Sequence, residues 1–224
     1  MDSSFAQQGF ATFPAVLTAT EITELIEDLL SLSGSGRAGI RHALSLPKVT
    51  ALAHDPRLIT LSEEFIGPGA LPFRATLFNK SPDTNWLITW HQDTALPLRQ
   101  KRELSGWGPW SVKQDVVYAH APASALSQIL ALRVHLDDST TRNGPLRVLP
   151  GTHRLGVLDD DQIHELSTQT ASVTCTVPRG GILAMRPLLI HASSKSDSQL
   201  PRRVLHIEYS AVRVFTDGME LAIA

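Results

Sequence analysis

Cysteine is almost missing from this 224-residue chain, in which Cys175 stands alone. A single thiol excludes an intrachain disulfide framework and any zinc cluster built from thiolates, and it suits a reducing compartment. Positive charge is not in surplus either: 20 Lys and Arg face 22 Asp and Glu, for a formal charge of -2. That balance gives no sign of nucleic acid or an anionic membrane as partner. No apolar run approaches the ~18 residues of a membrane span, and the N-terminus lacks the basic stretch leading into an apolar one that export uses. Internal repeats and low-complexity segments are also lacking. The expectation is a soluble cytoplasmic protein, monomeric or a small homo-oligomer, whose partner is a small molecule.

What is present is enough chain for a full hydrophobic core in one domain, residues 1–224. Gly9 to Pro14 reads as a short strand. Thr18 with Glu21 three places on forms a capping box opening a helix, along which Ile22, Leu25, Ile26, Leu29 and Leu30 recur at helical spacing. Ser31 to Gly39 ends it. Pro47 to Ala53 is weakly helical, and Asp55-Pro56 caps a further helix to about Ile66. These helices form a cover over about residues 18–66.

From about residue 71 the period changes to that of strands, giving a β-core over about 71–210. Phe73 to Phe78, Trp86 to Asp93, Ile129 to Leu136, Leu146 to Leu149, Ala171 to Val177, Ile182 to Ile190 and Arg203 to Tyr209 are the candidates, separated by turns rich in Gly, Pro and Asn. An acidic excursion, Leu155 to Ser167, is less regular. Helices first and strands after favour two sheets packed or rolled together over βαβ units.

One stretch carries chemistry. In Thr89-Trp90-His91-Gln92-Asp93, strand alternation puts His91 and Asp93 on one face, an imidazole beside a carboxylate. Such a pair is also common as a buried hydrogen-bonded couple. With one more imidazole it would make a two-histidine, one-carboxylate iron site that leaves positions open for a co-substrate and O2. The chain offers His120, His135, His153, His164, His191 and His206 downstream. His191 stands best, at the end of an apolar strand where the chain turns small and polar. His153, after a Pro-Gly turn, is the alternative.

Three blocks in this order, Trp90-His91-Gln92-Asp93, the run Asn143 to Arg154 (NGPLRVLPGTHR), and His191-Ala192-Ser193 followed by Pro201-Arg202-Arg203, resemble the phytanoyl-CoA dioxygenase family over about Phe73 to Tyr209. The resemblance implies an all-β core of the double-stranded β-helix type (jelly roll, cupin-like) with the N-terminal helices packed outside. It implies Fe(II) held by His91, Asp93 and His191, with 2-oxoglutarate as co-substrate and O2 as oxidant. The reaction would hydroxylate an aliphatic C–H bond of a small molecule and release succinate and CO2. Because Asp93 is kept, hydroxylation is expected rather than halogenation. Resemblance places the distal carboxylate of 2-oxoglutarate on Arg202, whose planar fork suits it; Arg203 takes the role if the strand register is shifted by a bulge. Ser193 falls near the co-substrate or else satisfies its own turn, and Thr76 and Phe78 line its pocket or are ordinary strand residues. Trp110 falls near the family's aromatic wall.

Trp107, Lys113, Arg133 and His135 are further candidates for touching substrate, each with a packing or ion-pair alternative. The substrate is expected to be a free small molecule with a carboxylate for Lys113 or Arg133. Coenzyme A is not expected, since no basic cluster suits its phosphates and Leu221-Ala222-Ile223-Ala224 is no peroxisomal signal. Two other classes stay open: a cupin-like metal-dependent isomerase or hydrolase, if Arg202 faces away from the site, and a non-enzymatic ligand-binding β-barrel, if the triad is partial or the cavity plugged. Cys175 reads as core.

Overall fold

The computed structural model describes residues 3–33 and 39–223. It opens with a helix, α1 (Ser3–Gln8), and strand β1 (Phe10–Phe13), then α2 (Ala19–Ser33), a two-residue strand β2 (Gly39–Ile40), α3 (Pro47–Ala53) and α4 (Pro56–Ile66). The caps are those expected. The backbone N–H of Thr18 donates to Glu21 Oε2 (2.7 Å), that of Glu21 to Thr18 Oγ1 (3.3 Å), and Asp55 accepts from Arg57 N (2.8 Å). Strands follow: β3 (Leu71–Lys80), β4 (Ile88–His91), β5 (Ala95–Leu98), β6 (Trp110–Lys113) and β7 (Val116–His120). After the short α5 (Ala123–Leu126) come β8 (Ile129–His135), β9 (Leu146–Val148), α6 (Asp160–Gln169), β10 (Val173–Cys175), β11 (Ile182–Met185), β12 (His191–Ser193) and β13 (Arg202–Ser210).

Two sheets face one another, as in a double-stranded β-helix: a six-stranded one in the order β1-β11-β8-β13-β3-β2 and a four-stranded one in the order β10-β9-β12-β4. A separate three-stranded sheet, β5-β7-β6, stands beside them. No strand pairing among the described residues closes the two main sheets into a barrel. Alternation explains how the large sheet serves two ends at once. Leu205, Ile207 and Tyr209 of β13, Leu130, Leu132 and Val134 of β8, and Ala75 and Leu77 of β3 point outward, into one core with Ile22, Leu25, Leu29, Val49, Leu58 and Phe65 of the helices. Each large side chain buried there contributes roughly 1.5–3 kcal/mol. The residues between them on the same strands, Arg74, Thr76, Arg133, Arg202, His206 and Glu208, point inward and line a cavity.

Two sequence expectations need correction. The apolar run Ile182 to Ile190 is not one strand: β11 stops at Met185, a turn follows, and the chain changes sheet before β12. Pro187 has no N–H to continue a ladder, and Leu189 N instead donates to Arg186 O (3.1 Å). His191 therefore opens a strand rather than ending one. Within the acidic excursion lies α6, started by a capping box between Asp159 and Gln162. The segment from 95 to 120, without clear periodicity, forms the three-stranded sheet.

Candidate active site

His91 ends β4 and His191 begins β12, and the two pair directly across antiparallel strands. Their rings lie 4.2 Å apart between centroids. Asp93 stands two residues past the strand end, with Oδ1 3.8 Å from His91 Nε2 and Oδ2 3.4 Å from His191 Nε2. The three donor atoms converge closely enough to hold a metal ion. Each imidazole Nδ1 sits 2.8 Å from the carbonyl oxygen two residues before it, Thr89 O for His91 and Leu189 O for His191. Donation from Nδ1 fixes the tautomer and leaves both Nε2 lone pairs facing Asp93, the outer-shell arrangement typical of metal-binding histidines.

The ligand strands are clasped together by the turn that precedes β12. Asp93 N donates to Pro187 O (2.9 Å) and Gln92 Nε2 to Leu188 O (2.8 Å), while Gln92 Oε1 accepts from Leu158 N (2.9 Å). Burial pushes His191 down to about 4, so it is a neutral imidazole at pH 7. Burial opposes ionisation of Asp93, but the facing His191, His206 and His91 together with Arg74 outweigh it and bring its pKa to about 2. Two imidazoles and one carboxylate around an open face fit Fe(II) with positions left free.

The triad opens on a cavity of about 380 Å³. At one end, Arg202 pairs in register with Lys80. Arg202 is 4 % exposed and donates from Nε to Asn143 O (3.1 Å), and among the described residues no carboxylate hydrogen-bonds to its terminal nitrogens. Burial, then the nearby Arg133, brings its pKa down to about 10. Its neighbour Arg203 faces the other way and makes a two-point pair with Asp137, Nε to Oδ2 at 2.8 Å and Nη2 to Oδ1 at 2.7 Å. Ser193 lines the cavity, but its hydroxyl donates to Gly144 O (2.8 Å) and accepts from Lys80 Nζ (2.8 Å). Lys80 also donates to Ser194 O (2.5 Å), and burial followed by Arg202 and Arg133 lowers its pKa to about 8. This end thus gathers buried cations to which no carboxylate of the described residues hydrogen-bonds inside the cavity, an environment that calls for an anion.

Thr76, Phe78, Arg133 and Lys113 also line the cavity, Lys113 from the exposed rim of β6. Other candidates do not. Trp110 packs on the second core, with Lys101 5.9 Å from its ring, and lies outside the cavity lining. The placement beside the co-substrate is corrected accordingly: β6 carries the tryptophan away on the auxiliary sheet. Trp107 donates to Asp217 Oδ2 (2.7 Å) in that same core. His135 is buried and outside the cavity lining, with neither ring nitrogen hydrogen-bonded among the described residues, and His153 packs against Gly9, away from the triad.

Sequence reasoning passed over Lys80, Arg74 and Glu208, and named His206 only among the downstream imidazoles. Arg74 and Glu208 form a buried ion pair, Nη2 to Oε1 at 2.5 Å, and His206 Nδ1 lies 3.1 Å from Arg133 Nη1. The signal was present in part: polar or charged residues recur on one face, Arg74, Thr76 and Lys80 in β3 and Arg202, His206 and Glu208 in β13, while the other face is largely apolar.

A search against known proteins agrees with this architecture. L-proline trans-4-hydroxylase of Streptomyces griseoviridis is 23 % identical over 247 residues, covering 93 % of this chain and 84 % of the relative. Ectoine dioxygenase of Sphingopyxis alaskensis is 24 % identical, covering 76 % of this chain and 56 % of the relative. Among solved structures, EctD from S. alaskensis with 2-oxoglutarate and 5-hydroxyectoine superposes with a TM-score of 0.69 at 21 % identity, covering 94 % and 74 % of the two chains. The epimerase SnoN in complex with Fe3+, alpha ketoglutarate and nogalamycin RO gives 0.71 at 19 % identity, covering 93 % and 81 %. The family model described as phytanoyl-CoA dioxygenase (PhyH) matches residues 5–204, and the chain belongs to that family.

Proposed function

We propose that the cavity is the active site of an Fe(II)- and 2-oxoglutarate-dependent hydroxylase that acts on an aliphatic C–H bond of a small molecule. The observation that carries this reading is the convergence of His91 Nε2, Asp93 and His191 Nε2 at one wall of a cavity whose end holds Arg202, to which no carboxylate of the described residues hydrogen-bonds. His91, Asp93 and His191 are the metal ligands, and Arg202 takes the distal carboxylate of 2-oxoglutarate through its terminal nitrogens. Ser193 supports that end, its hydroxyl oxygen pinned by Lys80, and Thr76 walls the co-substrate. When bound, iron(II) and 2-oxoglutarate supply O2-dependent conversion of C–H to C–OH, coupled to decarboxylation of 2-oxoglutarate to succinate and CO2.

The chain's own task is to position and to exclude. The helices seal the back of the large sheet, and Arg74 and Glu208, neutralised by one another, wall the upper cavity beside Tyr118. The substrate enters past the rim of β6, where Lys113 meets its carboxylate. L-Proline trans-4-hydroxylase, a relative named for a small carboxylated substrate, supports that class. We place the whole span in one catalytic domain acting in the cytoplasm, where its single thiol stays reduced. No helix among the described residues is long and apolar enough to cross a membrane. The alternatives weaken on the geometry: Arg202 faces the site, which disfavours a metal-only isomerase or hydrolase, and the triad is complete over an open cavity, which disfavours a mere binding barrel.

Anaerobic addition of Fe(II) and 2-oxoglutarate should raise the weak visible charge-transfer band of the chelate in wild type and not in His191→Ala. Folded, iron-loaded wild type without the band would refute the reading.

A further inference from the structure

The inner face of the six-stranded sheet is arranged in levels. Lys80 pairs with Arg202 at the lowest; Thr76, His206 and Arg133 stand side by side four residues higher on β13; Arg74 pairs with Glu208 above them. At about 3.4 Å per residue, the backbone distance from Arg202 to His206 is about 14 Å. Arg133 leans back across part of it: Nη1 lies 3.1 Å from His206 Nδ1, while its guanidinium carbon is 5.5 Å from the ring centre of Phe78, which pairs with Val204. Its charged head therefore lies between those levels. On the opposing sheet Ser193 touches Lys80, and His191 stands two residues further along β12, about 7 Å higher. Asp93 of the triad interacts electrostatically with Arg133, His206 and Arg74.

Arg133 is 6 % exposed, yet among the described residues its Nε has no hydrogen-bond partner, its one hydrogen-bonded neighbour is the His206 ring, and it makes no ion pair with a carboxylate. A guanidinium left so in a protein interior is costly until an anion reaches it. The four C–C bonds of the 2-oxoglutarate backbone, about 1.5 Å each, span roughly 5 Å, comparable to the rise from Ser193 to His191 and less than half the distance from Arg202 to His206. A molecule with its far end on Arg202 thus has its oxo-acid end at the height of the triad, opposite Arg133. The rim residues Lys113 and Tyr118 belong to the level of Arg74 and Glu208, which leaves the middle level to the co-substrate.

We propose that Arg133 is a second guanidinium for the co-substrate, taking the 1-carboxylate of 2-oxoglutarate while Arg202 takes the distal one. The proposal rests on the oxygenase reading above. Both ends of the dianion then meet a buried arginine, and the chelating end is oriented by the protein as well as by the metal.

The test uses two 2-oxo acids, 2-oxoglutarate and 2-oxovalerate, which has the same carbon chain without the distal carboxylate. Each is titrated by calorimetry into Fe(II)-loaded protein under argon. Arg202→Ala should weaken 2-oxoglutarate and leave 2-oxovalerate within about twofold. Arg133→Gln should weaken both acids by the same factor, about 10- to 100-fold, and Arg133→Lys by a smaller common factor, since a point charge replaces the fork. Loss of 2-oxoglutarate affinity alone in Arg133→Gln would put this arginine at the distal end beside Arg202 and overturn the proposal. Unchanged affinity for both acids would overturn it too and assign the arginine to the substrate. Should Arg133→Gln fail to fold, Arg133→Lys decides, with affinities equal to wild type counting against us. Wild type that binds neither acid, or an Arg202→Ala variant that binds both normally, marks failure of the oxygenase reading instead.

Discussion

Replacing Arg202 with alanine separates a 2-oxoglutarate enzyme from any other metal protein on this scaffold. The side chain is 4 % exposed, and its pKa is brought down from the ordinary arginine range to about 10, chiefly through burial. A displacement of that size corresponds to about 3 kcal/mol of unfavourable surroundings for the charged form, available to be offset when a carboxylate arrives. Truncating one partner of such a buried, forked contact costs roughly 2–5 kcal/mol, so 2-oxoglutarate should bind roughly 30-fold to several thousand-fold more weakly. Iron affinity should hardly change, because Arg202 touches none of the three ligands. Without ligand, the variant should unfold within about 1 kcal/mol of wild type: it loses the hydrogen bond to Asn143 O but is relieved of a buried charge. Arg203→Ala is the control. It breaks the two-point pair with Asp137 and should cost about 1–3 kcal/mol of stability while leaving 2-oxoglutarate binding intact. Denaturant melts and anaerobic titration of all three proteins give both quantities. Loss of affinity in the Arg203 variant alone would show that the side-chain assignment is inverted; no loss in either would show that the co-substrate is held elsewhere.

Gly144 adopts φ +64°, and a Cβ there would lie 2.3 Å from Ser194 O and 3.0 Å from Lys80 Nζ. Gly144→Ala should therefore cost about 2–4 kcal/mol in a denaturant melt and displace Ser193, weakening 2-oxoglutarate as well; a variant as stable as wild type would refute this. The helical cover offers a pH test through Glu21, whose carboxyl is held down at about 2 by hydrogen bonds from Arg57 first and then Thr18. A depressed carboxyl stabilises the fold above its unfolded pKa, and that contribution disappears as pH falls from about 4.5 through 2. Arg57→Ala should accordingly cost about 1 kcal/mol at pH 7, discounted for the exposure of the pair, and the difference from wild type should shrink towards pH 2. A gap that stays constant over that range would assign the loss to packing.

Much of the site could be read from the chain because its signals are local. His91 and Asp93 are close neighbours in sequence, and alternation along β13 separates Arg202 from Arg203 without any knowledge of what lies opposite. The helix starts were equally legible, since a capping box is complete within four residues. What stayed hidden depends on pairing between distant strands. Lys80 looks like a solvated strand end until its register with Arg202 and its contact with Ser193 are known. Arg74 and Glu208 lie 134 residues apart, and only their adjacency in the sheet turns two ordinary charges into a buried pair. Trp110 was misplaced because the strands of the auxiliary sheet follow no clean alternation, so nothing in the sequence said which sheet would carry it.

The clasp between Gln92, Asp93 and the Pro187–Leu188 turn gives two of the three donor groups a shared foundation. That turn is itself anchored from behind, where Arg186 N donates to Gly9 O and the Arg186 guanidinium to Phe65 O. Leverage on the metal therefore extends to places that never approach it. Lengthening the turn by one residue, or reshaping the entry from α1 into β1, would shift His191 and Asp93 in concert and retune the centre while its ligands stayed the same. Substitutions of that kind, in a chain whose cavity walls are already committed to charge pairs, are the mutations through which such a centre could drift in reactivity with its triad unchanged.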